Sequence, residues 1–430
     1  MAEMKDSGIE WVGKIPENWR VLKNKYNFEL SKEIIGTKWV ETQLLSLTKY
    51  GIKAINDGEQ TGKVPASLST YQKVNKDDLV MCLFDLDCSA VFSGISDFDG
   101  MVSPAYKCIK CKAHLFPKYI DYYFRTVFVD RKYKRYSKNV RFSISADEFM
   151  NLPIIVPPKD MQINIAKFLD KKCAEVDALH TDIEKQIETL EEYKKSIITE
   201  AVTKGLDPDV EMKDSGIEWV GMIPKNWNVT RIGYESWIRA RLGWKGLKAE
   251  EYVLEGHPFL SAFNIIQNKI SWDELNYITN ERYNESPEIM LKVGDIVLVK
   301  DGAGIGKCAK IDSLPYETAT TNGSLAVISS TVEKLDYNYL YFYLQSAMFQ
   351  NYILRIMNGM GVPHLSQEEL RKIKIPFPPI NEQIEIAKYL EKKRNDIDMA
   401  ILEKIQQLET LEQYKKSVIY EYVTGKKEVQ

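Results

Sequence analysis

The segment DGAGIGKC, at residues 301–308, contains the glycines and the lysine of a phosphate-binding loop. In such a loop the backbone N–H groups bind nucleotide phosphates, and a terminal serine or threonine binds Mg²⁺. Here Asp301 replaces the first glycine, and Cys308 replaces the serine or threonine. The pattern therefore argues against nucleotide binding.

Cysteines are the second group of residues that could do chemistry. Cys108 and Cys111 have the two-residue spacing of many zinc ligands, and Cys82 and Cys88 lie upstream of them. The upstream spacing is irregular, and Cys82 and Cys88 lie in strand-like sequence. We therefore predict that no metal is bound and that the six cysteines stay reduced.

Two patterns typical of catalytic sites are incomplete. PDVEMK, at 208–213, has the acidic pair and lysine of a nuclease, but it overlaps a repeated segment that begins at residue 212. The (N/D)PP(Y/F) motif of amino-methyltransferases is missing, since the paired prolines occur as VPP and FPP. We therefore expect this chain to have no catalytic residue and to bind no cofactor.

Composition indicates an ordered, multidomain protein, with 430 residues of which 44% are hydrophobic and 11% aromatic. The sequence has neither a run of about 18 apolar residues nor the pattern of a secretory signal, so we expect a cytoplasmic location. The net charge of −3 and the pI of about 6 are not those of a small, purely electrostatic nucleic-acid binder.

The chain contains MKDSGIEWVG twice, at 4–13 and at 212–221. The similarity extends over 4–20 and 212–228, which we call the opening segments. It returns in two later pairs of segments: 156–172 with 377–393, and 190–203 with 411–424. Repeat periods of 208 and 221 residues are too long for a solenoid. The chain is therefore a duplicated unit with similar ends and a divergent middle.

Each unit ends in a sequence typical of a long helix. We expect Asp160 and Asn381 to cap the two helices, which should end near Gly205 and Gly425. Each helix should span about 43 residues, or roughly 65 Å. Because a helix of this length with one apolar stripe needs a partner, we predict a single intramolecular antiparallel coiled coil with a pseudo-two-fold axis.

The apolar stripes have the alternating spacings of three and four residues that are typical of a coiled-coil seam. The predicted seam residues are Leu169, Val176, Ile183, Leu190, Ile197, Leu390, Ile397, Leu408 and Leu411. The polar seam residues His180 and Arg394 are expected to set the register of the helices or to lie where the seam meets solvent.

The divergent middles are predicted to be mixed α/β. Apolar, β-branched runs at 152–158, 295–300 and 325–330 are typical of strands. Aromatic runs at 119–128 and 337–349 are typical of buried helices. The predicted fold class is α/β (α+β), with globular domains at 1–158 and 206–379 and coiled-coil helices at 159–205 and 380–430.

The order of the repeated segments resembles that of one known family. Two copies of SGIEWVGxIPxNW, two middles that end in IxxPPxxxQxxIAxxL, and two helices that end in YKKSxIxExVT are similar to the DNA-specificity (S) subunits of type I restriction–modification enzymes. GMVSPAY, at 100–106, is typical of one subset of these domains. The resemblance covers essentially the whole chain.

This resemblance implies two target recognition domains, each recognising one half of an asymmetric, bipartite site in double-stranded DNA. It implies that the helices dock two methyltransferase subunits, and that restriction or translocase subunits can join the complex. The partners would use S-adenosylmethionine, ATP and Mg²⁺. The similar segments would then hold the same partner twice, whereas the divergent middles would recognise different sequences.

Charge is unevenly distributed along the chain. The helical stretches 160–204 and 380–425 carry net charges of −3 and −2, so the remainder carries +2. RKYKRYSKNVR, at 131–141, has no acidic residue, and RARLGWKGLK, at 239–248, has four basic residues. Such segments can neutralise DNA phosphates, although a solvated loop face is the alternative interpretation of both.

The predicted DNA-contacting residues come from these two basic segments and from loops that the resemblance assigns to the second recognition domain. They are Arg131, Lys132, Lys134, Arg135, Lys138, Asn139 and Arg141; Arg239, Arg241, Lys245 and Lys248; and Lys300, Lys307, Asn322 and His364.

Two other classes of function are compatible with parts of the sequence. The chain could be an enzyme that modifies DNA itself, but the catalytic motifs are missing. It could instead be a coiled-coil scaffold that joins two protein-binding modules, but the basic segment at 131–141, with its two tyrosines, argues for DNA.

Overall fold

The computed structural model describes residues 3–48, 51–56, 67–86, 93–137, 142–241, 247–302, 304–330, 333–357 and 364–429. The chain folds into two compact units. The first comprises Met1–Ile183 and Ile405–Gln430, and the second comprises Glu184–Lys404. Each unit therefore contains one divergent middle and a part of both long helices.

The described strands of the first unit are short. They are β1 (Met4–Asp6), β2 (Lys14–Pro16), β3 (Arg20–Lys23), β4 (Phe28–Ser31), β5 (Leu45–Thr48), β6 (Gly51–Ala54), β7 (Gln72–Val74), β8 (Leu79–Met81), β9 (Ser93–Ile95), β10 (Gly100–Val102), β11 (Lys107–Cys111) and β12 (Pro153–Val156). The largest sheet has the antiparallel order β4-β11-β8-β9, and β3 pairs with β12.

The second unit has a corresponding set of strands. They are β13 (Met212–Asp214), β14 (Met222–Pro224), β15 (Asn228–Arg231), β16 (Ser236–Arg239), β17 (His257–Leu260), β18 (Ile265–Ile266), β19 (Lys269–Ile270), β20 (Asn276–Ile278), β21 (Ile296–Val299), β22 (Cys308–Lys310), β23 (Thr320–Thr321), β24 (Leu325–Ser330) and β25 (Lys374–Phe377). Its four-stranded sheet has the order β16-β24-β21-β22, and β17 lies between β20 and β23.

Helices complete both units. They are α1 (Asn24–Asn27), α2 (Pro117–Val129), α3 (Ala146–Asn151), α4 (Lys159–Lys204), α5 (Ile232–Glu235), α6 (Asn280–Asn284), α7 (Tyr337–Gln345), α8 (Ala347–Met357), α9 (Gln367–Lys372) and α10 (Ile380–Val423). The mixed α/β fold and the predicted strands at 152–158, 295–300 and 325–330 are confirmed. The predicted helix at 119–128 is α2, whereas Ser346 divides 337–349 into α7 and α8.

The long helices α4 and α10 contain 46 and 44 residues. Both end near the predicted glycines, Gly205 and Gly425, which have left-handed φ angles of 78° and 71°. The predicted caps Asp160 and Asn381 are wrong, because both residues already lie in the first turn. In α4 the first-turn hydrogen bond runs from Gln162 N to the carbonyl oxygen of Pro158 (3.0 Å), so the helix begins directly after the proline.

The two helices pack against each other in antiparallel fashion within each unit. In the first unit, Phe168 stacks on Tyr422 with ring centroids 4.3 Å apart, and Asp177 pairs with Lys415 at 2.6 Å. In the second unit, Lys194 pairs with Asp398 at 2.9 Å. Of the predicted seam residues, Leu169, Val176, Ile197, Leu390 and Ile397 are buried, and Ile183, Leu190, Leu408 and Leu411 are half-buried.

Arg394 is not at a solvent-exposed end of the seam, as one of its sequence-based interpretations held. Its guanidinium lies 5.7 Å from the Tyr341 ring centroid and 5.4 Å from that of Phe342. Its side chain is 12% exposed and forms an ion pair with Glu391 at 2.5 Å. Arg394 therefore joins the helix to the aromatic helix α7 of the same unit.

Each opening segment is a small antiparallel hairpin that packs on a helix end. A Cβ atom at Gly425 would lie 2.4 Å from Pro16 and 3.1 Å from Trp19. At Gly205, which follows the other long helix, the nearest atoms include Trp227 at 3.3 Å. The tryptophan and the glycine therefore fit together in both units, which gives a physical reason for the repetition of both segments.

Candidate nucleic-acid interface

In the first unit, a basic turn at residues 131–137 follows α2. Arg131 has a left-handed φ of 53°, which ends the helix and starts the 3₁₀ turn Lys132–Tyr136. Tyr133 is buried, and its ring packs edge-on against Phe128 with centroids 5.7 Å apart. This apolar anchor holds the turn in place while Arg131 and Arg135 remain exposed.

The cations of this turn have only weak partners. Lys132 lies 3.4 Å from Asp130, and Arg135 lies 2.6 Å from Glu10. Lys134 lies 4.2 Å from the centroid of the Phe142 ring. Exposed ion pairs contribute about 0–1 kcal/mol, so DNA phosphates can replace these partners at low cost. Lys138, Asn139 and Arg141 lie outside the described residues.

The structure brings Lys300, Lys307, Asn322 and His364 together at one edge of the second unit. Because β21 and β24 pair antiparallel, Lys300 at the end of β21 lies near Asn322, which precedes β24. His364 contacts Asp301, and the N–H of Leu365 donates to the carbonyl oxygen of Lys300 at 2.8 Å. We call residues 300–307, 322–324 and 364–365 the loop cluster; within it, residue 303 is not described.

Backbone and side-chain hydrogen bonds hold the loop cluster in shape. The Oδ1 atom of Asn322 accepts from the N–H and the hydroxyl of Ser324, at 3.1 and 2.7 Å. The N–H of Lys300 donates to the carbonyl oxygen of Ser324 at 2.9 Å. Lysines suit phosphates, and amide and imidazole groups suit base edges. The cluster therefore holds the exposed Lys307 beside an amide and an imidazole group, whereas Lys300 is 12% exposed and pairs with Asp301 at 2.7 Å.

Arg239 corrects the sequence-based assignment. Its side chain is 4% exposed, and its Nη2 atom lies 2.8 Å from a carboxylate oxygen of Asp295. Its Nη1 atom donates to the carbonyl oxygen of Met290 at 3.0 Å. Strand β16 directs this side chain into the unit, where it forms a buried ion pair, so the prediction that it contacts DNA is wrong.

The rest of the basic segment at 239–248 is divided between burial and exposure. Arg241 is half-buried, and burial together with the charge of Arg282 lowers its pKa. Lys248 is exposed at the start of the turn Ala249–Glu251. Lys245 lies outside the described residues.

The glycine-rich segment at 301–308 is not in the setting of a phosphate-binding loop. Such a loop joins a strand to a helix. Here it joins β21 to β22, which pairs antiparallel with β21. Cys308 is buried inside the sheet, and burial raises the pKa of its thiol to about 12. The segment therefore turns between two strands.

The described residues lack a metal site, a reactive cysteine pair and a membrane-spanning helix. No group of three or more His, Cys, Asp or Glu side chains there could hold a metal ion. Burial raises the pKa values of Cys108 and Cys111 to about 12, so both remain protonated thiols. None of the helices in these parts of the chain is both long and apolar enough to cross a membrane.

Sequence reasoning missed a pair of equivalent ion pairs. Glu10 and Glu218 occupy the same position of the two opening segments. Glu10 pairs with Arg135 at 2.6 Å, and Glu218 pairs with Arg355 at 3.3 Å. Each arginine lies in a divergent middle, outside the repeated segments, so the repeat does not reveal the ion pair. Arg135 therefore has a structural contact as well as its predicted role.

Sequence reasoning also missed Phe263. This residue lies in the 3₁₀ turn Ala262–Asn264 that follows β17, and 91% of its surface is exposed. The N–H of Asn322 donates to the carbonyl oxygen of Leu260 at 2.9 Å, which joins this turn to the loop cluster. Nothing in the sequence of a divergent region indicates that a single phenylalanine is exposed beside a loop cluster.

Comparison with known proteins gives a consistent match. The family model described as the type I restriction modification DNA specificity domain matches residues 17–189 and 246–410. The MjaVIII specificity subunit of a type I restriction enzyme, from Methanocaldococcus jannaschii, is 31% identical over 65% of this chain and 63% of its own length. The putative MjaX specificity subunit of the same organism is 28% identical over 96% of this chain and 95% of its own length.

Two solved structures share the fold. A chain from a study of complex assembly and conformational transition in a type I restriction–modification system has a TM-score of 0.68 at 14% identity, and the match covers 95% of this chain and 98% of that one. The HsdS subunit of Thermoanaerobacter tengcongensis has a TM-score of 0.53 at 14% identity, over 96% of this chain and 98% of that one.

Proposed function

The chain belongs to the family of type I restriction–modification DNA-specificity proteins, and from that premise we propose that it recognises both halves of an asymmetric, bipartite site in double-stranded DNA. The observation that carries this proposal is the loop cluster. Residues from three separate segments, including Lys300, Asn322 and His364, meet there on a hydrogen-bonded frame.

The contribution of each unit is distinct. The basic turn at 131–137 supplies phosphate contacts in the first unit, and the loop cluster supplies phosphate and base contacts in the second. Because residues 21–155 and 229–376 differ in sequence, they recognise different half-sites. The alternative, a scaffold that joins two protein-binding modules, would account for the helices but not for these cationic loops.

The partners in this proposal are two methyltransferase subunits. Exposed tyrosines recur at equivalent positions of the repeated segments: Tyr193 and Tyr414 are 49% and 50% exposed, and each unit contains one of them. Tyrosine is enriched in protein interfaces because its ring is large and its hydroxyl remains able to bond. Two equivalent surfaces fit two identical partners.

The chemistry belongs to the partners in this proposal. The chain directs methyl transfer from S-adenosylmethionine, and cleavage where ATP- and Mg²⁺-dependent restriction subunits join, in the cytoplasm. The purified chain should transfer no methyl group and hydrolyse no ATP. Either activity in the isolated, homogeneous chain would contradict this assignment.

Domain replacement tests the recognition itself. Residues 229–376 are replaced by a second copy of 21–155, and methylated sites are mapped in DNA from cells that express either form with the methyltransferase. The half-site assigned to the second unit should disappear, and the other half-site should occur twice. An unchanged methylated sequence would show that the divergent middles do not determine the site.

A further inference from the structure

Phe263 is an almost fully exposed aromatic residue, but exposure alone assigns it no role. Single apolar side chains are common on the surfaces of soluble proteins. Leu254, which precedes the same strand β17, is 96% exposed, compared with 91% for Phe263. What distinguishes Phe263 is therefore its position in the fold.

The turn that carries Phe263 adjoins the loop cluster. Strands β17 and β23 pair in parallel, with Leu260 opposite Thr321, so the chain leaves both strands at the same edge. The hydrogen bond from Asn322 N to Leu260 O (2.9 Å) holds the end of β17 next to the loop cluster. Leu254 lies at the other end of β17, which makes it a matched reference position.

The turn is also held rigidly. Asn264 is 8% exposed, and its Oδ1 atom accepts from the N–H and the hydroxyl of Ser261, at 2.9 and 3.0 Å. Its carbonyl oxygen accepts from the N–H of Ser271 at 2.8 Å. Because the turn is already ordered, binding costs little additional conformational entropy. An aromatic ring on this turn can therefore contribute fully to affinity.

We propose that Phe263 is a further specificity-determining residue, which makes an apolar contact with bases of the half-site recognised by the second unit. The proposal rests on the proposed DNA-recognition function. The cations of the loop cluster attract phosphates without regard to sequence. A phenylalanine contacts thymine methyl groups or inserts at a deformable base step, and both contacts depend on the sequence.

The test compares Phe263→Ser with Leu254→Ser in the full chain assembled with its methyltransferase partner. Affinity is measured for the mapped recognition site and for a scrambled duplex, at several salt concentrations. Phe263→Ser should weaken specific binding about 10-fold, because less apolar surface is buried on the bases, and should leave scrambled-DNA binding and the salt dependence unchanged. Methylation mapping should show relaxed sequence preference in one half-site only. Leu254→Ser should behave as wild type.

Lys307→Ala separates failure of this inference from failure of the proposed function. If Lys307→Ala flattens the salt dependence but Phe263→Ser matches Leu254→Ser, the loop cluster binds DNA and the role of Phe263 is refuted. If neither change affects DNA binding, both the role of Phe263 and the DNA-contacting role of the loop cluster are refuted. Because Phe263 is exposed, a folding defect is not expected, and thermal unfolding of each variant verifies this.

Discussion

At the scale of single residues, burial decides which basic side chains can contact DNA. Arg239 and Lys307 were both predicted from the sequence to contact DNA, but Arg239 is 5% exposed whereas Lys307 lies on the surface. A buried guanidinium must be matched by acceptors, and Asp295 and backbone carbonyls provide them. Its role is therefore to stabilise the second unit.

Replacing Arg239 should destabilise the protein. Arg239→Met leaves the carboxylate of Asp295 buried without its cation, and such a change costs about 3–5 kcal/mol. Thermal unfolding of the full chain should therefore show that the second unit is clearly less stable. Arg239→Met combined with Asp295→Leu should recover much of that stability, because no buried charge remains. A single variant as stable as wild type would contradict the structural role.

The basic turn of the first unit should act through phosphates. Changing Arg131, Lys132, Lys134 and Arg135 to alanine should weaken DNA binding and flatten its dependence on salt, by about 0.9 in the logarithmic slope for each phosphate that is no longer neutralised. Equilibrium titrations of the full chain at several salt concentrations measure this slope.

The matched control removes four exposed lysines from equivalent positions of the long helices: Lys167, Lys171, Lys388 and Lys392. The control has the same change in net charge, so it separates a local interaction from the general field of the protein. Equal slopes for the two variants would place the phosphate contacts of the first unit elsewhere.

At the scale of secondary-structure elements, the sequence predicts the features that depend on residues close together in the chain. The heptad stripes of α4 and α10 specify a helix, its buried face and its glycine ends, because each depends on residues a few positions apart. The predicted helix ranges begin at the observed starts, Lys159 and Ile380, but the capping residues were misplaced, since a proline and not Asp160 or Asn381 precedes each first turn.

The candidate site was only partly predictable, because its parts are distant in sequence. Lys300, Asn322 and His364 were each selected from their own loops, but their proximity depends on the pairing of β21 with β24 and on the bridge between Asp301 and His364. Arg239 was misassigned because a basic segment does not show which of its residues belongs to a strand. Phe263 was missed because its turn lies outside the repeated segments and contains no charged residue.

The recurring tyrosines of the helices should each support one docking surface. Tyr193→Ala or Tyr414→Ala alone should leave one methyltransferase subunit firmly bound, and the double variant should bind neither, because large aromatic anchors dominate interface energy. The mass of the complex gives the number of bound subunits. DNA binding by the isolated chain is the control and should not change. Two bound subunits in the double variant would exclude these surfaces.

At the scale of the whole molecule, the repeated and the divergent segments have different tasks. Opening segments and helix ends are similar because Trp19 must fit Gly425 in the same way as Trp227 fits Gly205. The middles are free of that constraint, so they can differ in sequence and in the DNA that they recognise. The remaining property to be specified is the distance between the two half-sites.

We expect the paired helices to set that distance. In the second unit Lys194 lies opposite Asp398, so the antiparallel register places Leu190 opposite Leu402. One heptad inserted after each of these two leucines preserves the seam and adds about 10 Å of helix. At about 3.4 Å per base pair this corresponds to roughly 3 bp. Mapping of methylated sites should therefore show both half-sites unchanged around a longer spacer.

Insertion of two residues at the same positions is the control. It turns the apolar stripe away from its partner, since two residues rotate a helix by about 200° at roughly 3.6 residues per turn. The seam residues on the two sides of the insertion would then point in different directions, so the helices could not bury both portions at once, and this variant should unfold at lower temperature. A heptad variant that is stable and active on the original spacer would show that the helices do not set the distance.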